Sequence, residues 1–367
     1  MHFRKLTLSV AALVLSTAVD AGAQWIKPTS LVPSYRNEHF QLTGVTISKA
    51  GRLFVNFPRW SDRYRYAVVE VMPDGSTQPF PNAYWNEWNR KPSTAGQQFV
   101  CVQSVVVDDQ DALWVLGPAA PLLTSPVPGG AKLVKIDLAT NTVAQIIHFN
   151  SDVIFPDSYL NDVRFDLTAG IAYIPDSGHG GFVIVNLEEG TARRVLDGNP
   201  STLAEPGIRI VVNGRPVVGP DGQPPQFNVD GVALSKDKDY LYYKAVTAAT
   251  LYRVPTAVLR DPSATAEQIA AAVEKVASIF PTDGLWMDSQ NRLYLSDIND
   301  SAVRRLLPNG RIETVVADHR LQWPDTFTEG PDGSIYISSS EINLSPQYHK
   351  GYRIGRLPYT VYRIVSQ

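Results

Sequence analysis

The chain has 367 residues and a formal net charge of −3 at pH 7, and 19% of its residues are charged. This composition lacks the clustered Lys and Arg of a nucleic-acid-binding protein, so we expect no nucleic-acid partner. The single cysteine, Cys101, excludes an internal disulfide, and it lies in an apolar run (FVCV, residues 99–102) that is typical of a buried thiol.

The N-terminus has the order of a secretory signal peptide. A basic start over residues 1–5 precedes an apolar run from Leu6 to about Val19, and Ala21-Gly22-Ala23 follows. An uncleaved anchor is the alternative, but the run is short for a spanning helix. We therefore predict a signal peptide over residues 1–23, one domain over residues 24–367, a secreted or periplasmic location, and no membrane association after cleavage.

A short phrase then recurs six times. Each copy is a polar residue, a small residue and an apolar run, which leads through a turn into a second apolar run. The copies begin at intervals of 42 to 69 residues. Repeats of this length indicate solenoids, arrays or propellers. The first residues of the copies are Thr43, Gln103, Asn161, Asp230, Asp283 and Asp325.

The fifth copy shows the full unit. Four strand-like runs (residues 285–287, 292–296, 302–307 and 312–316) alternate with turn residues, including Asn309-Gly310. Four short strands in about forty residues are one propeller blade. We therefore predict an all-β fold, a six-bladed β-propeller with four-stranded blades. The last copy lacks a fourth strand, and a segment before Gly44, near Phe40, is predicted to supply it and close the ring.

Insertions interrupt the repeats. Residues 118–131 and 198–228 are rich in Pro and Gly, and we predict that they form loops over a binding surface. Residues 263–278 differ, because Ala, Glu and Gln dominate and Ile269 and Val273 recur at helical spacing. We predict one short helix there, with Ser263 as its N-cap.

The first residues of the six copies are candidate site residues, because the innermost strand of each blade lines the channel of a propeller. Three are carboxylates and two are amides, with no cation adjacent in sequence. Carboxylates brought together repel, which raises the pKa of one of them or favours a bound cation. We predict that Asp230 and Asp283 are catalytic, that Gln103, Asn161 and Asp325 bind the ligand, and that Asn161, Asp230 and Asp283 bind a metal. The alternative for each residue alone is structural, because Asp and Asn before a strand cap turns.

Two further residues are candidates. His179 lies in a Gly-rich turn (DSGHGG, residues 176–181), where it is either a catalytic proton shuttle or a hairpin tip. Trp286, on the inner strand of the fifth copy, is predicted to contact the ligand. We expect one divalent cation (Ca²⁺, Mg²⁺, Mn²⁺ or Zn²⁺), no organic cofactor, a small-molecule substrate or ligand, and a monomer.

Several stretches resemble the Yellow/major royal jelly protein family, in the right order from about residue 30 to the C-terminus. They are residues 52–60 (RLFVNFPRW), 79–82 (PFPN), 111–116 (DALWVL), 182–187 (FVIVNL) and 320–325 (RLQWPD). The resemblance implies a secreted six-bladed propeller. Some members of that family are linked to dopachrome tautomerisation, and others bind small amines. Insect members usually have disulfides, so the single cysteine is closer to microbial relatives.

The chain also resembles, more distantly, the gluconolactonase family of six-bladed propellers. That family holds a divalent metal with a Glu in the first blade and with Asn or Asp at later inner strands. Asn161, Asp230 and Asp283 match three of these positions, with Asp230 in place of an Asn, and Thr43 stands where the Glu is expected.

Three functions remain open on the sequence. The first is proton transfer on a small cyclic metabolite, an isomerisation of the dopachrome tautomerase type, with Asp230 or Asp283 moving the proton. The second is metal-dependent lactone hydrolysis, in which the cation polarises the carbonyl and activates water. The third is a secreted protein that binds a small molecule without catalysis.

Overall fold

Residues 29–355 and 358–366 are described by a computed structural model of the chain. They form a six-bladed β-propeller in which each blade is a sheet of four antiparallel strands. Blade one comprises β2 (Val45–Ile47), β3 (Leu53–Asn56), β4 (Val68–Val71) and β5 (Thr77–Pro79). Blade two comprises β6 (Ser104–Val107), β7 (Ala112–Gly117), β8 (Lys132–Asp137) and β9 (Thr142–His148). Blade three comprises β10 (Arg164–Asp166), β11 (Ile171–Pro175), β12 (Phe182–Asn186) and β13 (Thr191–Val195). The predicted fold class is confirmed.

The last three blades continue this order. Blade four comprises β16 (Val229–Leu234), β17 (Tyr240–Ala245), β18 (Thr250–Pro255) and β19 (Glu274–Ser278). Blade five comprises β20 (Thr282–Met287), β21 (Leu293–Asp297), β22 (Ala302–Leu306) and β23 (Ile312–Ala317). Blade six comprises β24 (Pro324–Glu329), β25 (Ile335–Ser339), β26 (Tyr359–Ser366) and β1 (Thr29–Asn37). A two-stranded hairpin, β14 (Val211–Val212) and β15 (Arg215–Pro216), lies in the insertion between blades three and four. The predicted signal peptide lies outside the described residues.

An N-terminal strand closes the ring. β1 pairs antiparallel with β26, so that Leu31 lies opposite Ile364 and Arg36 lies opposite Thr360. The expectation that a segment before Gly44 completes the last blade is confirmed, but the strand ends at Asn37 and Phe40 lies beyond it. β1 covers the edge of β26, which would otherwise leave a row of unpaired backbone groups.

Helices are short and lie between strands. They are α1 (Ala83–Asn86), α2 (Thr256–Arg260) and α3 (Ala266–Ala271), with 3₁₀ turns at Pro92–Thr94, Pro121–Leu123, Ile342–Leu344 and Pro346–Tyr348. The helix predicted over residues 263–278 is only α3, and its N-cap is Thr265, which forms a capping box with Gln268, rather than Ser263. Residues 274–278 form β19, because pairing with the edge of β18 overrides their helical composition. None of the helices in the described ranges is long and apolar enough to span a membrane.

Close packing between blades explains why glycine occupies the second position of the fourth and fifth copies of the phrase. A side chain at Gly231 would overlap the carbonyl oxygen of Asp283, and one at Gly284 would overlap the carbonyl oxygen of Asp325. The inner strand of each following blade therefore packs directly on these glycines. This close approach brings the first residues of successive phrases together at one mouth of the channel.

Aromatic pairs join neighbouring blades. Their ring centroids lie 4.9 Å apart between blades two and three, 5.0 Å between blades three and four, and 6.2 Å between blades five and six. The pairs are Trp114 with Phe165, Phe182 with Tyr243, and Tyr294 with Phe327. Such contacts add to the burial of apolar area, so the inner strands that carry the site are held on a rigid scaffold.

Candidate active site

A pocket of about 690 Å³ opens at the channel mouth where the repeated phrases begin. Side chains from the inner strands form its floor, and residues from loops between the blades form its walls. The lining includes Trp60, Gln103, Leu123, Tyr159, Asn161, Ser177, Gln226, Phe227, Asp230, Asp283, Trp323, Asp325, Ile342 and Tyr348. Five of the six predicted ring residues therefore line a single pocket.

Thr43 is the ring residue that does not line it. Its hydroxyl donates to the backbone carbonyl of Gln103 at 3.1 Å and accepts from the side-chain amide of Asn56 at 3.0 Å. This side chain is fully buried between the first two blades. Thr43 therefore has the structural role that a residue at the start of an inner strand has by default.

Asp230 and Asp283 form a buried carboxyl pair at the floor. Both carboxyls line the same pocket, and each shifts the pKa of the other. The amide of Asn161 donates to Asp230 at 2.6 Å, and the indole N–H of Trp323 donates to Asp283 at 2.6 Å. The carboxyl pair is thus held in place from both sides by neutral donors.

The two carboxyls differ in acidity. Burial, followed by the charge of Asp283, raises the pKa of Asp230 well above its usual range. Burial also raises the pKa of Asp283, to about 6, while the hydrogen bonds from Trp323 and Asp230 lower it. Asp283 is therefore the more acidic carboxyl of the pair.

Asp325 is the third carboxyl of the floor. It accepts a hydrogen bond from the hydroxyl of Thr326 at 3.0 Å. Burial and the charge of Asp283 raise the pKa of Asp325 well above its usual range. This shift favours the neutral form of Asp325, which can both donate and accept a hydrogen bond.

Two buried cations lie farther along the inner part of the blades, and neither was predicted from the sequence. Arg164 forms a two-point ion pair with Asp162, with N–O distances of 2.8 and 2.9 Å. Lys244, on β17, is fully buried, and its charge acts on Asp283. Arg164 could have been predicted, because it lies on an inner strand only three residues after Asn161. Nothing in the sequence around Lys244 indicates that it lies near the site.

Aromatic side chains form the walls. The indole N–H of Trp60 donates to the hydroxyl of Tyr159 at 2.6 Å, and that hydroxyl donates to Gln103 at 2.9 Å. Phe227 meets Trp323 edge to face, with ring centroids 6.2 Å apart. The pocket therefore offers flat apolar surfaces above a polar floor, an arrangement that suits a small ring.

His179 lies beside the pocket rather than on its floor. Its ring nitrogen lies 3.0 Å from Asp157, and its ring packs against the edge of Phe155, with centroids 4.6 Å apart. About 32% of its side chain is exposed. The structure does not bring this imidazole together with Asp230 and Asp283, and the turn in which it lies is a connection between β11 and β12.

Trp286 lies in a different cavity. It lines a space of about 400 Å³ at the other end of the inner strands, where the guanidinium of Arg164 lies 5.2 Å from the centre of its ring. Asp283 and Trp286 are three residues apart on β20, roughly 10 Å along an extended strand. Trp286 therefore does not line the pocket that holds the five ring residues, and its predicted contact with a ligand stays a prediction.

The model of the major royal jelly protein family matches residues 100–353. The chain belongs to this family. No curated protein sequence matches the chain significantly.

Solved structures with the same fold cover most of the chain at low sequence identity. They include a gluconolactonase from Xanthomonas campestris (TM-score 0.56, 12% identity, 92% of this chain and 89% of that chain) and a luciferin-regenerating enzyme (TM-score 0.56, 10% identity, 92% and 95%). A calcium-binding protein, regucalcin, from Agrobacterium tumefaciens strain C58 has a TM-score of 0.54 and 14% identity, over 91% of this chain and 96% of that chain. At these identities the likeness shows the fold alone.

The hydrogen bonds at the pocket floor do not favour a divalent cation. One oxygen of Asp230 accepts an N–H from Asn161, and one oxygen of Asp283 accepts an N–H from Trp323. Thr43, in place of the expected Glu, turns its hydroxyl to the backbone. Within residues 29–355 and 358–366, no three His, Cys, Asp or Glu side chains are placed to hold a metal ion. Metal analysis of the purified protein tests the cation predicted from sequence.

Proposed function

We propose that this family member is a secreted enzyme that transfers a proton on a small cyclic metabolite, an isomerisation of the dopachrome tautomerase type. The observation that carries the proposal is the buried Asp230–Asp283 pair, which holds one proton at the floor of an aromatic-walled pocket. Secretion is part of the proposal and rests on the sequence of residues 1–23.

The chemistry needs a base and an acid that act on one substrate. Asp283, with a pKa of about 6, is mostly ionised at pH 7 and removes a proton from a ring carbon. The electron pair of the broken C–H bond moves into the ring toward a carbonyl oxygen or imine nitrogen, which takes the proton of Asp230. Protons and charge balance, because the pair gives one proton and receives one.

The walls of the pocket position the substrate. A planar ring can pack against the aromatic side chains of Trp60 and Phe227, which line the same pocket as the carboxyl pair. Asp325 and Gln103 offer hydrogen bonds at the edge of the floor. Because Asp230, Asp283 and Asp325 are each less than a tenth exposed, water is largely excluded from the site of proton transfer.

The test is turnover of aminochromes and lactones by the purified chain, with and without a chelator. We expect aminochrome isomerisation that is insensitive to the chelator, and we expect Asp283→Asn to lower kcat/KM by about 10²- to 10⁴-fold. Asp157→Asn is the matched control, because it removes an exposed carboxyl at the rim of the pocket and should leave turnover unchanged within about twofold.

Two results would contradict the proposal. One is lactone hydrolysis that the chelator abolishes, which indicates metal-dependent hydrolysis. The other is an Asp283→Asn variant that is as active as the wild type. Tight binding of aminochromes with no turnover would also count against it and would favour a binding protein.

A further inference from the structure

A chain of hydrogen bonds runs from the wall of the pocket to its floor. The indole N–H of Trp60 donates to the hydroxyl of Tyr159 at 2.6 Å, and that hydroxyl donates to Oε1 of Gln103 at 2.9 Å. Nε2 of Gln103 donates to Oδ1 of Asn161 at 3.3 Å, and Nδ2 of Asn161 donates to Oδ2 of Asp230 at 2.6 Å. All five side chains line the same pocket, and every donor in the chain points toward Asp230.

Trp60 sets the direction of this chain. An indole N–H can donate but cannot accept, so the oxygen of Tyr159 is the acceptor in the first hydrogen bond. The hydroxyl hydrogen of Tyr159 is then free for Gln103, which turns its amide oxygen toward Tyr159 and its amide nitrogen toward Asn161. Hydrogen bonds that point the same way polarise one another, so the N–H presented to Asp230 is a stronger donor than that of an isolated amide.

Ser177 favours the same direction independently. Its hydroxyl donates to the backbone carbonyl of Tyr159 at 3.3 Å, and a carbonyl can only accept. The oxygen of Ser177 is therefore left to accept, and Nδ2 of Asn161 lies 3.2 Å from it. The amide nitrogen of Asn161 thus faces two acceptors, Ser177 and Asp230. Its amide oxygen faces a donor, Gln103, so a flipped amide would lose all three hydrogen bonds.

We infer that Trp60 and Tyr159 are positioning residues, which act through Gln103 to hold the N–H of Asn161 on Asp230. The carbonyl oxygen of a neutral carboxyl is its better acceptor, so an N–H held on Oδ2 leaves the proton of neutral Asp230 on Oδ1. This consequence for turnover rests on the proposed function, whereas the orientation of the Asn161 amide does not.

Tyr159→Phe tests the inference, because it removes the hydroxyl that links Trp60 to Gln103 and keeps the aromatic ring. Tyr84→Phe is the matched control. It breaks a hydrogen bond of the same kind, from the hydroxyl of Tyr84 to Oε1 of Gln97 at 3.2 Å, and neither of these residues lines the pocket.

The side-chain amide of Asn161 reports on the chain of hydrogen bonds without any substrate. Its N–H hydrogens, followed by ¹H–¹⁵N NMR and assigned with Asn161→Ala, should exchange with water about 2- to 10-fold faster in Tyr159→Phe than in the wild type. Their exchange should be unchanged in Tyr84→Phe. The indole N–H of Trp323, which donates to Asp283 on the same floor, is the internal control and should keep its resonance in both variants.

Turnover separates the inference from the proposed function. If the wild type isomerises aminochromes, Tyr159→Phe should lower kcat by about 2- to 10-fold and change KM by less than about twofold, while Tyr84→Phe leaves both unchanged. A loss confined to KM would indicate a direct contact with the substrate and would contradict the positioning role. If the wild type has no turnover, the proposed function fails, and the exchange of the Asn161 amide still decides the inference.

A second variant covers the case in which Tyr159→Phe does not fold. Trp60→Phe breaks the chain at its first donor, and Trp88→Phe is its control, because it removes an indole N–H that donates to the carbonyl of Lys91 at 3.0 Å. The inference is overturned if the Asn161 amide in the chain variant exchanges as it does in the control. It is also overturned if the Trp323 resonance moves together with that of Asn161, since the whole floor would then have loosened.

Discussion

Replacing Asp283 with Asn should make the folded chain more stable at neutral pH while it removes activity. The pKa of Asp283 is raised in the fold from 3.8 to about 6. A difference of about two units corresponds to about 3 kcal/mol of destabilisation when this carboxyl is ionised. The Asn amide can still accept from Trp323, as the neutral carboxyl does, so we expect a net gain of about 3 kcal/mol.

The sign of the pH dependence follows from the raised pKa. Because the folded state of the wild type holds its proton more tightly than the unfolded state, the wild type loses stability as the pH rises from about 4 to about 6. The advantage of Asp283→Asn should therefore be absent at pH 4, grow over this range and stay constant above it. Thermal unfolding at pH 4.0 and 7.5 measures this, and about 3 kcal/mol corresponds to about 4 °C in Tm for a chain of this length.

The control is Asp157→Asn, which removes an exposed carboxyl and should change the free energy of unfolding by less than about 0.5 kcal/mol at either pH. A difference between Asp283→Asn and the wild type that is the same at both pH values would refute the reasoning, as would a lower Tm for the variant at pH 7.5. Either result would mean that ionised Asp283 is well stabilised in the fold.

Three other changes test the scaffold. Gly284→Ala places a methyl group on the carbonyl of Asp325 and should lower the free energy of unfolding by about 3 kcal/mol. Urea unfolding measures this loss as a lower midpoint. A midpoint equal to that of the wild type would show that the inner strands separate easily. Arg164→Met leaves Asp162 buried without its partner and should lower the free energy of unfolding by about 3–5 kcal/mol at pH 7.5. A loss below about 1 kcal/mol would show that the ion pair contributes little. Deleting residues 1–37 uncovers the edge of β26, so we expect the variant to aggregate on heating, which light scattering measures. A soluble variant that unfolds cooperatively would show that ring closure by β1 is dispensable.

The repeated phrase was sufficient to predict the propeller, because its parts are local. Each copy carries a strand, a turn and a second strand within about twenty residues, and Gly231 and Gly284 mark places where the neighbouring strand leaves no room for a side chain. The same periodicity predicted that Asp230, Asp283 and Asp325 start equivalent strands, and the fold places all three in one pocket. The family resemblance seen in short stretches is confirmed by the match over residues 100–353.

At two places the structure differs from what the local sequence predicts, because tertiary contacts decide the outcome. Residues 274–278 have a helical composition but pair with β18. The hydrogen bonds gained by covering the edge of β18 outweigh the weak helical propensity of these residues. Trp286 shares a strand with Asp283, yet the length of that strand carries it to the opposite end of the channel. A ring of equivalent positions says where strands begin but not how deep each side chain lies.

The sequence by itself determined the architecture and the acidic character of the channel mouth, since both follow from a local pattern repeated six times. Only the tertiary structure decided the chemistry of that mouth. It brought Asp230 and Asp283 into one pocket, placed the indole N–H of Trp323 on Asp283 and buried Lys244 on the neighbouring strand. These four residues lie 14 to 93 positions apart in the chain, and the packing of blades around a common axis brings them together rather than any spacing along the chain.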